Sequence, residues 1–149
     1  MGTLADPHVR DACRARIQRL RPDAPAKWGR MTAPQMVCHL NDSFLVGMGE
    51  KYASPATSFL QRTFIKWIAL RTPLRWPPGV PTRPEIEQGR GGTRPAEWSR
   101  DCSELLHLLD AFADRQTFGE HPVFGTMSHA DWLTWGYRHV DHHLRQFGI

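Results

Sequence analysis

His139 and His143 stand four residues apart near the end of the chain, and four residues is one turn of an α-helix, so their imidazoles share a face. Two imidazoles so placed can grip one metal ion, the logic of helical zinc motifs. A third ligand from another element completes an enzyme-type site, and His39 is the best candidate. Three imidazoles suit zinc, nickel or iron, and also copper. Such a set leaves coordination positions for water or a small-molecule substrate, which is the pattern of a catalytic rather than a closed structural site. A metal held there lowers the pKa of water or keeps a thiol as thiolate, giving either a hydrolytic or a sulfur nucleophile.

His142 adjoins His143 but diverges from it by about 100° around a helix, so it reads as surface or as support for the ligands. His8, His107, His121 and His129 read as ordinary surface histidines, and Asp141 as solvated helix surface. Gln146 lies one turn beyond His142 and His143 and can support a ligand from behind. Ser43 follows His39 by one turn on the same stripe and either lines the pocket or eases helix packing. Cys38 is next to His39, but adjacent helical residues do not face each other, so a buried structural thiol is expected.

The histidines need helices to place them. Asp6-Pro7 starts a helix over about residues 7–20, with Val9, Cys13, Ile17 and Leu20 at helical spacing. Thr32-Ala-Pro-Gln35 is a capping box opening a helix over residues 33–47, with Met36, His39, Leu40, Ser43 and Gly47 on one stripe and Gly47 and Gly49 loosening its end. Phe59, Leu60, Phe64, Trp67, Ile68 and Leu70 predict a third helix over residues 55–70 with a wide apolar face. Residues 72–95 are rich in Pro, Gly and Arg and form a long loop, in which Trp76, Pro77 and Pro78 either wall a pocket mouth or pin the loop down. Residues 95–115 return to helical patterning. Ser128 and Asp131 form a capping box that opens the last helix, over residues 129–146. No alternating strand pattern and no repeat occurs. The class is all-α, most simply a four-helix bundle with an additional short helix and the long loop.

The chain of 149 residues suits one domain, residues 1–149, with a core that needs no disulfide. Its three cysteines are scattered, with no Cys-x-x-Cys pair, which fits reduced thiols in the cytoplasm. The net charge of +4 comes from dispersed arginines rather than a dense basic run, which argues against nucleic acid as a partner. No segment is long and apolar enough to span a membrane, and the first residues lack the pattern of a signal peptide, so no membrane partner is expected.

The run from Trp28 through Met31, Thr32, Met36 and His39, with the late run from His139 through His143 to Gln146, resembles the DinB/YfiT-like superfamily of metalloenzymes. Pro81-Thr-Arg-Pro84 and His121-Pro-Val-Phe-Gly125 resemble a DinB-like subfamily of unknown function. The resemblance implies an up-down-down-up four-helix bundle holding one divalent metal on His39, His139 and His143. Some relatives transfer low-molecular-weight thiols to electrophiles. The resemblance therefore implies a metal-dependent thiol S-transferase; the alternatives are a metal-dependent hydrolase and a non-catalytic metal-binding or stress-response module. A carboxylate-bearing thiol needs cationic anchors, for which Arg83, Arg90, Arg94 and Arg145 are candidates. A homodimer is plausible because symmetric pairs are the commonest oligomers.

Overall fold

Each long helix begins where the sequence supplies a cap. In the structure, a computed structural model describing residues 2–149, Asp6 accepts the backbone N–H of His8 and Pro7 occupies the first turn of α1, Pro7–Arg19. Thr32 and Gln35 cap α2, Ala33–Gly47, reciprocally. The Glu97 carboxylate accepts the N–H groups of Ser99 and Arg100 at the start of α4, Trp98–Asp114. Ser128 and Asp131 close a second capping box on α5, His129–Gln146. These contacts satisfy N–H groups that the first helical turn otherwise leaves without partners.

Burial then decides the packing. α2 is buried almost all round, so it is the central helix. It packs on α4 and α5, and α1 packs on those same two helices. Phe44, Phe112, Trp132, Met36, Leu40, Leu105, Leu109 and Leu144 are almost fully buried between them. Gly47 is a packing residue: a Cβ there would stand 2.8 Å from Phe112 and 2.9 Å from Trp132. Gly49, at φ +77°, is the residue that ends α2 by entering the left-handed region. The described residues are helical or irregular, with no strand beyond an isolated bridge between His121 and Gly125.

The third helix departs from expectation in two ways. It starts at Phe59, because residues 55–58 are irregular and the N–H of Ala56 donates to the Pro122 carbonyl at 2.7 Å. It continues through a π-helical turn, Gln61–Ile65, into α3, Lys66–Arg71. Its wide apolar face is also not core: only Ala69 and Leu70 are buried, since α3 leans on α5 at the rim of a core already closed by the four long helices.

The Pro/Gly-rich segment after α3 holds one short 3₁₀ turn, Pro84–Ile86. It is strapped to the helices. Arg138 of α5 donates to the carbonyls of Thr72 and Leu74. The indole N–H of Trp76 donates to the Ala69 carbonyl at 3.0 Å. Thr93 gives its N–H and hydroxyl to the buried Asp42 carboxylate at 2.8 and 2.7 Å, and Lys51 pairs with the same carboxylate at 2.7 Å.

Candidate metal centre

α2 and α5 lie side by side, and that contact brings His39 against the His139–His143 pair. The ring centres are 5.3 Å apart for His39 and His139, and 4.8 Å apart for the other two pairs. The Nε2 atom of His139 lies 3.3 Å from Nε2 of His39 and 3.1 Å from Nε2 of His143. Two nitrogens bound at about 2.0–2.1 Å in a tetrahedral site lie about 3.3–3.4 Å apart. These two spacings are those of neighbouring ligands on one small ion, and the three ligand atoms all lie within 4.8 Å of one another.

The outer nitrogens decide the protonation pattern. Nδ1 of His39 lies 3.2 Å from the Ile86 carbonyl oxygen, which can only accept, so Nδ1 carries the proton. Nδ1 of His143 lies 2.9 Å from Oε1 of Gln146, and the Gln146 amide is oriented by donating its Nε2–H to the Trp28 carbonyl at 2.8 Å. His143 Nδ1 therefore also carries its proton. Both rings turn a bare Nε2 lone pair toward His139. One proton on His139 Nε2 can satisfy only one of the two. A cation at the common point satisfies all three, so this buried donor set fits a divalent metal. Burial lowers the pKa of His39, and burial with neighbouring histidines holds His139 and His143 well below the ordinary imidazole range. All three rings are then neutral near neutral pH, the form that binds metal.

The other singled-out residues fall in different places. His142 is buried rather than on the surface, wedged 5.9 Å from Trp28 and 6.2 Å from Trp76 between ring centres, and it lies outside the converging group. Its Nδ1 is buried without a hydrogen-bond partner. Ser43 gives its hydroxyl to the His39 carbonyl at 2.7 Å, a bond within α2 rather than into a pocket. Asp141 is held between Arg16 at 2.8 Å and Arg145 at 2.9 Å, so it is not simply solvated. His8, His107 and His129 are exposed, whereas His121 is buried: its Nδ1 accepts the N–H groups of Val123 and Phe124, and its ring stacks 4.6 Å from Phe124. Cys38 is buried 3.7 Å from an Asp101 oxygen, and burial with that carboxylate pushes its thiol up to about 12, which makes it a poor nucleophile.

Of the candidate anchors, Arg83 is taken up by the carbonyl and hydroxyl of Ser54, and Arg90 by Glu87. Arg94 is exposed in the loop. Arg145, which also pairs with Asp141, joins Lys27, Trp28, Arg75 and Trp76 around a cavity of about 420 Å³. Trp76 is the shared wall, its ring centre 6.1 Å from that of His139. Lys27-Trp28 and Arg75-Trp76 are two cation–tryptophan pairs, a signal present in the sequence. Ile86 contributes only a backbone carbonyl, which no side-chain pattern can announce.

The class is thus an all-helical protein with a buried three-histidine group able to hold a metal ion. The family model described as "Protein of unknown function (DUF1569)" matches residues 6–148, and the chain belongs to that family. Among curated proteins and among solved structures, nothing matches this chain.

Proposed function

We propose that this protein is a metal-dependent enzyme of the DinB/YfiT-like superfamily, with the up-down-down-up bundle of that group, and that it transfers a low-molecular-weight thiol to a small electrophile. The observation that carries the reading is the convergence of three Nε2 atoms, two of them on buried rings and left without protons by their outer partners. His39, His139 and His143 are the proposed ligands. A divalent metal there, with zinc, nickel or iron as the candidates, would supply a thiolate at neutral pH. The chain's own groups do the rest. The Ile86 carbonyl and Gln146 hold two imidazoles in the binding tautomer. Trp135 and Trp76 pack beside His139, their ring centres 4.8 and 6.1 Å from its own. Lys27, Arg75 and Arg145 face a cavity large enough for a small ligand and would bind the carboxylates of the thiol or its acceptor. The same reading takes residues 1–149 as one domain working on a small molecule in the cytoplasm.

Thiol consumption by the metal-loaded protein, with glutathione, bacillithiol or mycothiol and a panel of electrophiles, tests it. Turnover with one thiol is expected, and a chelator should abolish it while circular dichroism keeps the helical signal. Turnover of esters or amides without thiol would replace the reading with hydrolysis. Collapse of the fold on chelation, without turnover of either kind, would make the metal structural.

A further inference from the structure

All eight exposed large apolar side chains among the described residues lie between Tyr52 and Val80. Phe59 is 84% exposed, Phe64 56% and Trp67 58%, in and around the helical run over residues 59–71. A patch of this kind marks an interaction surface. Charge separates its candidate occupants. Six of the 19 Lys and Arg residues and none of the 15 Asp and Glu residues lie between 51 and 83, so the rest of the chain holds 13 cations against 15 acids. Lys51 and Arg71 are paired with Asp42 and Asp131, but Arg62, Lys66 and Arg75 make no ion pair among the described residues. A twofold dimer pairs a patch with itself, and this patch has no carboxylate to offer its own copy. An amphipathic helix with Phe, Leu and Trp on one side and Arg and Lys beside them is the composition of a helix that lies in a lipid–water interface.

We infer that the helical face over residues 59–71 docks on an anionic lipid surface, with Phe59, Phe64 and Trp67 entering the interface and Arg62 and Lys66 meeting the headgroups. No helix among the described residues is long and apolar enough to cross a membrane, so the contact is peripheral. It is also independent of the histidine group, which α2 and α5 hold.

Co-sedimentation of the full chain with vesicles of phosphatidylcholine, alone or mixed with phosphatidylglycerol, tests this. Binding to the mixed vesicles is expected, with little to phosphatidylcholine alone and a decline as salt shortens the screening length. The double variant Phe64→Ser/Trp67→Ser removes two exposed side chains and should lower binding about tenfold or more with an unchanged circular dichroism spectrum. His39→Ala should bind vesicles like the wild type. Absence of binding to the mixed vesicles overturns the inference. So does equal binding to both vesicle types, or undiminished binding by the double variant. A stable dimer that the double variant dissociates would assign the face to a second copy instead.

Discussion

Gln146 touches two parts of the site at once: its amide oxygen accepts from His143 and its amide nitrogen donates to the Trp28 carbonyl. Gln146→Leu removes both bonds and frees the His143 ring to turn. Metal affinity should fall about tenfold or more, the usual cost of losing such a supporting group; a competition titration with a chromogenic chelator measures it, and unchanged affinity would refute the role. His121 predicts a pH effect of definite sign. Burial lowers its pKa from 6.5 to about 3, so between those values the unfolded chain holds a proton that the folded chain refuses. Stability is therefore full above pH 6.5 and falls with pH through that window, by about 1.4 kcal/mol per unit for one such group. Urea unfolding at several pH values should show a shallower loss in His121→Gln than in the wild type. Equal slopes would mean that His121 does not titrate this way. The ligand candidates were legible at this scale because a spacing of four residues is a local fact. His121 was not, because its burial depends on Trp132 and Trp135.

Helix ends were the most legible elements. Asp6, Thr32 with Gln35, and Ser128 with Asp131 cap α1, α2 and α5 where their side chains announce it. α4 begins a little after its expected start because Glu97 is needed as the cap. The third helix shows the limit of periodicity. Phe59, Leu60, Phe64 and Trp67 form an apolar stripe, yet no sequence pattern says whether a stripe faces the core or the outside. Gly47 shows the opposite case, in which tertiary contact gives a residue its meaning. Gly47→Val would drive side-chain atoms into the buried Phe112 and Trp132 rings. A loss of about 1–3 kcal/mol in urea unfolding is expected, as for other overpacked cores. A variant as stable as the wild type would show that α2 and α4 have slack at this crossing.

The whole molecule separates its tasks. Four long helices close the core and hold the histidine group between α2 and α5. The long segment after α3 closes over that group by way of Ile86 and Trp76. The positively charged, aromatic face around α3 lies apart, on the rim. Elemental analysis after reconstitution with zinc, nickel or iron and removal of excess ion measures whether the three histidines hold one metal. His39→Ala, His139→Ala and His143→Ala would be compared with wild type and with His142→Ala. One metal per chain is expected in the wild type and in His142→Ala. Each of the other three should lose affinity by more than about tenfold, beyond the cost of an outer-shell change. A reconstituted wild type that retains no metal, or a His142→Ala chain that loses it as completely as His143→Ala, would show that His39, His139 and His143 are not the ligand set.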